Sequence, residues 1–308
     1  MEPLARPVES HCFADRLAEA VERKHSQLLV GLDPRLDLLP MELRGEAVLG
    51  RASAASSVAR FCRGIVDAVA PYVVGVKPQS AFFEALGAEG VGAFETVCDY
   101  ARTAGLLVIG DVKRGDIGST ARAYAAAYLE PHGAEEPLVD AMTVSAYLGR
   151  DSLEPFVAEC RRHGGGIFCL VKTSNAGGAD VQDLKLSDGS LVWHQVAKLV
   201  AELAEGVVGD CGLSSVGAVV GATFPRAVSE ARKLLPQSIL LLPGIGAQGA
   251  RPTDVARAFT SGPASALVAV SRPINYAYRD ASASDDWRTA AAAEAARLRD
   301  EIWSASGW

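Results

Sequence analysis

We expect the chain to form one α/β domain, a (β/α)8 TIM barrel over residues 1–308 with an extra N-terminal helix. Short apolar runs alternate with stretches of helical spacing, and this alternation is typical of a parallel sheet. The runs are unbroken, as in strands buried on both faces, and no linker or change in composition divides them. Polar side chains directly follow the runs, at the strand ends where barrels build their active sites. A doubly wound sheet is the alternative, because alternation alone does not exclude it.

The helices and strands can be assigned in order along the chain. A first helix is predicted over Phe13–Lys24, where Phe13, Leu17 and Val21 recur at helical spacing. Eight apolar runs predict strands at 28–32, 73–76, 106–109, 141–144, 167–171, 216–220, 239–242 and 267–270. Amphipathic spacing predicts helices at 58–69, 152–163, 192–203 and 287–302. Residues 173–190 are rich in glycine, serine and aspartate and long for a loop, so a lid or a small excursion is expected there.

Composition and charge exclude several classes of protein. Hydrophobic residues make up 49% of the 308, enough for a large core, and the net charge of −7 argues against a nucleic-acid surface. No apolar run approaches the ~20 residues that span a bilayer, and residues 1–10 lack the apolar segment of a secretory signal. The six cysteines are scattered without a C-x-x-C pair. We therefore expect a cytoplasmic protein with no disulfide framework, no metal site, no membrane contact and no nucleic-acid partner.

Polar or charged residues follow each of the predicted strands. They are Asp33, Lys77, Asp111, Lys113, Ser145, Lys172, Thr223 and Arg272, together with a glycine-rich turn after the seventh strand. Since the carboxyl ends of parallel strands meet at one face of a barrel, these side chains are expected to gather there.

The most informative stretch is D-V-K-R-G-D-I-G-S-T, residues 111–120, which follows the third apolar run. Residues two apart on a strand share a face, so Asp111 and Lys113 are expected to point the same way. A solvated ion pair followed by a helix cap at Asp116 or Ser119 would explain a shorter motif. The motif is longer than that, and the other strand-end charges favour a functional site.

A second glycine motif, G-x-G-x-x-G at 244–249, follows the seventh predicted strand. A dinucleotide fold carries this motif in its first strand-helix turn, so its position here argues against that fold. In a barrel, the loops after strands seven and eight commonly bind a phosphate through backbone N–H groups. Arg272, after the eighth strand, would add a guanidinium suited to phosphate oxygens. We therefore expect a phosphate site rather than a plain tight turn.

The motif D-x-K-R-G-D-I-G-x-T at 111–120 resembles the signature of the orotidine 5'-phosphate decarboxylases, in their longer bacterial form called type 2. The likeness covers nearly the whole chain, and shorter matching stretches appear in family order. They lie at 32–34, 76–79, 143–145, 171–175, 221–223, 243–249 and 271–272. The resemblance implies a cofactor-free homodimer that converts orotidine 5'-monophosphate to UMP and carbon dioxide, the last step of pyrimidine synthesis.

The resemblance also implies a set of catalytic residues. Lys77, Asp111, Lys113 and Asp116 resemble the charged tetrad of the family, with Asp116 reaching in from the other subunit beside Thr120. Each active site would therefore be built from two chains.

Further residues are expected to bind the substrate. They are Asp33, Thr120, Ser145, Pro243, Gln248, Ser271 and Arg272. By resemblance, Asp33 is the acid that binds the ribose, and Ser145 reads the edge of the pyrimidine. Gln248 and Arg272 correspond to the phosphate grip. Ser271 stands where many shorter relatives have glycine, and a backbone contact is expected there.

The charges support this chemistry by themselves. Loss of carbon dioxide leaves negative charge on a pyrimidine carbon, and a fixed cation helps only where that charge develops. Lys113 is such a cation, could deliver a proton to the carbon, and would be kept charged by Asp111 and Asp116. Two alternatives stay open: a magnesium-dependent sugar-phosphate decarboxylase or aldolase on the same barrel, and a non-catalytic nucleotide-binding barrel.

Overall fold

Eight parallel strands close into a barrel in chain order, and the last strand hydrogen-bonds to the first. The structure is a computed structural model that describes residues 12–133, 136–246, 249–280, 284 and 286–308. The strands are β1 Leu28–Leu32, β2 Gly75–Pro78, β3 Leu107–Arg114, β4 Ala141–Ser145, β5 Gly166–Lys172, β6 Ser214–Val220, β7 Ser238–Pro243 and β8 Ala266–Val270. The barrel prediction is confirmed, and the doubly wound alternative is wrong.

Helices surround the barrel and connect its strands. The α-helices are α1 Phe13–Lys24, α2 Met41–Ala47, α3 Arg51–Val69, α4 Ser80–Glu84, α5 Ala88–Thr103, α6 Gly118–Leu129, α7 Arg150–His163, α8 Ala179–Gln182, α9 Val192–Ala204, α10 Pro225–Leu234, α11 Arg272–Asn275 and α12 Trp287–Ser306. Short 3-10 helices lie at Leu36–Leu38, Ala176–Gly178, Glu205–Val207, Pro252–Phe259 and Ala277–Arg279. The extra N-terminal helix is α1, with the predicted bounds.

The third strand departs from the sequence prediction. Its apolar run ends at Ile109, but β3 continues to Arg114 and so includes the first four residues of the 111–120 motif. The pairing of β3 with β4 shifts register between Gly110 and Arg114. The charged residues therefore belong to the barrel wall itself rather than to the loop after it.

The apolar side chains form two cores. One lies between the strands and the surrounding helices. The other fills the inside of the barrel and includes Phe13, Leu17 and Val21 of α1. The Phe13 ring meets the Phe168 ring edge-on with centroids 5.8 Å apart, and a Cβ at Gly166 would lie 2.5 Å from Phe13 Cδ1. Helix α1 therefore closes the N-terminal end of the barrel.

A buried arginine joins the N-terminal ends of β7 and β8. Arg232 is 5% exposed, and its guanidinium donates five hydrogen bonds to backbone carbonyls. The acceptors are Leu235, Pro236, Ser238, Ala258 and Ser265. Burial lowers the pKa of Arg232 to about 10. This arginine stabilises the end of the barrel opposite the predicted active site.

No helix in the described part of the chain is long and apolar enough to cross a membrane.

Candidate active site

A cavity of about 380 Å³ opens at the C-terminal ends of the strands. Its lining residues are Lys77, Asp111, Lys113, Thr143, Leu170, Thr173, Ser174, Asn175, Val219, Leu241 and Pro243. Val219 and Leu241 belong to the core inside the barrel. The cavity is thus polar and charged on one side and rests on the apolar interior of the barrel.

Three charges of alternating sign line this cavity. Asp111 Oδ2 accepts a hydrogen bond from Lys77 Nζ at 2.5 Å, and Asp111 Oδ1 accepts one from Lys113 Nζ at 2.5 Å. The side chains of Lys77 and Asp111 are each 10% exposed, whereas that of Lys113 is 47% exposed. Lys113 therefore presents its ammonium to the open cavity, while Lys77 and Asp111 are fixed in the wall.

The electrostatic balance keeps the buried pair ionised. Burial alone would raise the pKa of Asp111, but the ammonium groups of Lys77 and Lys113 outweigh it and hold that pKa well below its ordinary value. Burial would likewise lower the pKa of Lys77, but Asp111 and Asp33 raise it above its ordinary value. Asp33 is thus close enough to act on Lys77. Its Oδ1 is buried and accepts no hydrogen bond from the described residues, so it is open to a substrate hydroxyl.

Asp116 and Thr120 lie outside the cavity formed by their own chain. Thr120 is exposed, and Asp116 is partly exposed. Asp116 Oδ1 accepts a hydrogen bond from the backbone N–H of Ile117 at 2.7 Å. Helix α6 begins at Gly118 with Ile117 as its N-cap and no side-chain cap, so neither Asp116 nor Ser119 caps it. Only three members of the predicted tetrad meet within one chain.

The remaining predicted residues are divided between the cavity and its surroundings. Pro243 lines the cavity. Ser145 is not among its lining residues and packs against Gly115, where an added Cβ would lie 3.2 Å from Ser145 Cβ. Ser271 Oγ accepts a hydrogen bond from Asn275 Nδ2 at 3.2 Å.

The predicted phosphate grip is only partly described. Arg272 is exposed and lines a neighbouring cavity of about 720 Å³ beside α12. Gln248 lies outside the described residues. Gly244 and Gly246 adopt φ of +115° and +74°, which favours glycine at both positions of this turn.

Some lining residues were not predicted to be functional. They are Thr143 on β4 and Thr173, Ser174 and Asn175 directly after β5. The polar triplet at 173–175 follows a strand in the same way as the predicted residues do, and that position is the signal that could have identified it. Thr143 gives no such signal, since a threonine inside an apolar run is typical of any strand.

Residues 173–190 are attached to the barrel by an ion pair between a buried lysine and a partly exposed aspartate. Lys172 is 4% exposed, and its Nζ donates to Asp183 Oδ1 at 2.7 Å. Gln182 Oε1 accepts from the backbone N–H of Thr173 at 3.0 Å, and Gln182 Nε2 donates to Thr173 Oγ1 at 2.7 Å. Lys172 therefore points away from the central cavity, and the segment is a small folded excursion that holds the polar triplet in place.

Ammonium and carboxylate groups dominate the chemistry that the cavity offers. Across the described ranges, no group of three histidine, cysteine or acidic side chains is placed to hold a metal ion. The cavity offers two ammonium groups, one carboxylate between them, and further hydroxyl and amide groups from residues on β4 and after β5. Such an arrangement can bind an anionic substrate, stabilise new negative charge and transfer a proton.

The chain is similar in sequence and in structure to known proteins. A family model described as orotidine 5'-phosphate decarboxylase / HUMPS family matches residues 26–286. An orotidine 5'-phosphate decarboxylase of Rhodopirellula baltica is 47% identical over 301 residues, which cover 94% of this chain and 98% of the relative. One from Deinococcus radiodurans is 44% identical, with 96% and 98% covered. The structure of Leishmania donovani OMP decarboxylase matches with a TM-score of 0.73 at 30% identity, over 96% and 99% of the two chains. The chain therefore belongs to the orotidine 5'-phosphate decarboxylase / HUMPS family.

Proposed function

We propose that this chain is a carboxy-lyase that decarboxylates orotidine 5'-monophosphate to UMP and carbon dioxide, the last step of pyrimidine synthesis. The Lys77–Asp111–Lys113 array in the wall of the cavity carries the proposal. Relatives aligned over nearly the whole chain bear the name of this activity.

Lys113 is the group that stabilises the transition state. As the bond to carbon dioxide breaks, its electron pair stays on the pyrimidine carbon, and a fixed ammonium beside that carbon stabilises the new charge. Lys113 then donates a proton to the carbon, which completes UMP. Its half-exposed ammonium is the member of the array that can reach a bound base.

Asp111 orients Lys113 and opposes the substrate carboxylate. Two unit charges about 4 Å apart repel by about 4 kcal/mol at an effective dielectric constant of 20. The buried Asp111, kept ionised by its two lysines, would face the carboxylate of the bound substrate. This repulsion ends when neutral carbon dioxide leaves, so it favours the reaction, and contacts to remote parts of the nucleotide offset it during binding.

The rest of the nucleotide occupies the surrounding wall. The buried Oδ1 of Asp33, which has no partner among the described residues, accepts a hydrogen bond from a ribose hydroxyl. Ser145 binds at the pyrimidine edge, and Pro243 and Ser271 contact the nucleotide along the same face. The phosphate is held by the 243–249 turn with Gln248, and by the exposed Arg272 after β8.

The active site is completed by a second copy of the chain. Asp116 lies outside its own cavity, next to Ile117, which is 55% exposed. Tyr147 and Leu148, after β4, are 85% and 48% exposed. Large apolar side chains exposed beside a catalytic motif are typical of an interface. In the homodimer they would be covered, and Asp116 and Thr120 would enter the cavity of the partner.

The protein acts as one barrel domain in a reducing cytoplasm. All six cysteines are free thiols, and Cys62, Cys98, Cys160 and Cys169 are buried. Unpaired thiols in the core are typical of proteins from reducing compartments.

The proposed reaction can be tested with purified protein and orotidine 5'-monophosphate. Loss of the orotate absorbance should accompany release of one carbon dioxide per nucleotide, and excess EDTA should leave the rate unchanged. Lys113→Met is the control and should abolish turnover, because it removes both the proposed stabilising cation and the proposed proton donor. Turnover that is lost in EDTA and restored by Mg²⁺ would instead support the magnesium-dependent alternative.

A further inference from the structure

Thr143 carries a hydroxyl whose hydrogen-bonding capacity is fully used at the catalytic strand. The residue lies on β4 and is 1% exposed. Its Oγ1 donates to Asp111 Oδ1 at 3.1 Å and accepts from the backbone N–H groups of Val112 and Lys113, each at 3.0 Å. A hydroxyl has one proton and two lone pairs, an amide N–H can only donate and an ionised carboxylate can only accept. The direction of all three bonds is therefore fixed.

The backbone that this hydroxyl binds is unusual. Lys113 has φ of +45°, in the left-handed region that costs a side-chain-bearing residue about 1–2 kcal/mol. The ladder between β3 and β4 also shifts register between Gly110 and Arg114, so both amides lie where regular strand pairing is interrupted. A buried N–H group without an acceptor costs about 1–3 kcal/mol. Thr143 Oγ1 accepts hydrogen bonds from both N–H groups and so stabilises the positive φ of Lys113.

The same hydroxyl also reaches the other end of Lys113. Asp111 Oδ1, which accepts the proton of Thr143, accepts a hydrogen bond from Lys113 Nζ at 2.5 Å. Thr143 thus binds the backbone of Lys113 directly and its ammonium through one carboxylate oxygen. A displacement of about 1 Å in a catalytic group can cost on the order of 100-fold in rate.

We infer that Thr143 is a positioning residue, which sets where the Lys113 ammonium lies relative to Asp111 and the reacting carbon. This inference rests on the proposed decarboxylation for its effect on rate. A purely structural role, in which the hydroxyl only pairs buried amides, would change stability and leave turnover per folded molecule unchanged.

Two substitutions separate these roles. Thr143→Val keeps the shape of the side chain and removes the hydroxyl, whereas Thr143→Ser keeps the hydroxyl and removes a methyl group. We expect Thr143→Val to lower kcat about 100-fold with KM changed less than about threefold, because the array moves while the binding wall stays. Thr143→Ser should restore kcat to within about threefold of wild type, even though its melting temperature falls.

A buried hydroxyl at the opposite end of the barrel provides the control. Ser214 is 0% exposed, and its Oγ donates to Ala204 O at 2.8 Å and accepts from Val216 N at 3.1 Å. Ser214→Ala should lower the melting temperature without lowering kcat. An equal fall in kcat for Ser214→Ala and Thr143→Val would mean that loss of packing, not of position, slows the enzyme.

Crystal structures of the two Thr143 variants test the inference without turnover. In Thr143→Val, we expect residue 113 to leave positive φ or its Nζ to move away from Asp111, and in Thr143→Ser both features should persist. An unchanged Lys113 in Thr143→Val, with unchanged kcat, would overturn the inference. Failure of the wild-type enzyme to turn over orotidine 5'-monophosphate would contradict the proposed function, while these structures would still decide the role of Thr143.

Discussion

Removal of Lys77 should destabilise the protein, whereas removal of Lys113 should leave its stability nearly unchanged, although both substitutions should abolish turnover. The side chain of Lys77 is 10% exposed and acts on both Asp111 and Asp33, whereas that of Lys113 is 47% exposed. Removing one partner of a buried ion pair costs about 3–5 kcal/mol, and an exposed pair contributes about 1 kcal/mol or less. Lys77→Met should therefore lower the free energy of unfolding by about 3 kcal/mol more than Lys113→Met does.

The difference should depend on pH in a defined direction. Burial raises the pKa of Asp111, but Lys77 and Lys113 outweigh it, so the folded-state pKa lies below the unfolded value of about 3.9. Such a group stabilises the fold above the unfolded pKa, and that contribution is lost as pH falls through the folded pKa. Without Lys77, the folded-state pKa of Asp111 is lowered less. The stability gap between wild type and Lys77→Met should be largest near pH 7 and should narrow as pH falls below about 4.

Urea unfolding followed by tryptophan fluorescence at about pH 7 and at about pH 3, which lies below the unfolded-state pKa of an aspartate, measures both effects. Lys198→Met, at an exposed position on α9, controls for the loss of one positive charge. Equal destabilisation by Lys77→Met and Lys113→Met, or a gap that widens as the solution is acidified, would refute the electrostatic account of the buried pair.

Three further predictions follow from other parts of the chain. Lys113→Ala and Asp116→Ala should each be nearly inactive. When the two variants are mixed and exchange subunits, about a quarter of wild-type activity should return, because about half the dimers are then hybrids with one intact site of two. Subunit exchange without recovery of activity would show that Asp116 does not act across subunits. Arg272→Ala should reduce kcat/KM for the nucleotide far more than for a substrate that lacks the phosphate, and equal reductions would exclude a phosphate contact. Arg232→Met should lower the free energy of unfolding by at least about 3 kcal/mol, because it leaves buried carbonyls without their donor, while kcat at 25 °C stays unchanged. A lowered kcat for the folded variant would contradict the view that the N-terminal end of the barrel contributes to stability and not to catalysis.

The barrel could be predicted from the sequence because parallel strands buried on both faces appear as apolar runs. Helix α1 and most strands have the predicted bounds to within a residue or two. The end of β3 could not be predicted in this way, since Asp111 and Lys113 are polar residues in a strand. Their side chains are stabilised in the wall by each other and by Lys77, and this pairing depends on the closed barrel rather than on local sequence.

The candidate site could be predicted in part. Lys77, Asp111, Lys113 and Pro243 line the cavity as expected, because each comes shortly after one of the apolar runs that predict the strands. The triplet 173–175 and Thr143 both lie in stretches that match the family, but the sequence alone assigns a role to neither. A hydroxyl on a buried strand becomes informative only when its partners are known, and the partners of Thr143 lie on a neighbouring strand about 30 positions earlier in the chain.

Carbon dioxide formed in this cavity would have to leave by the opening through which the nucleotide enters. Helix α1 covers the opposite end of the barrel, with Phe13 seated against Phe168, and Val219 and Leu241 belong to the same apolar interior. Carbon dioxide therefore has no path along the packed barrel axis while UMP occupies the opening of the cavity. The two products therefore leave by the same route.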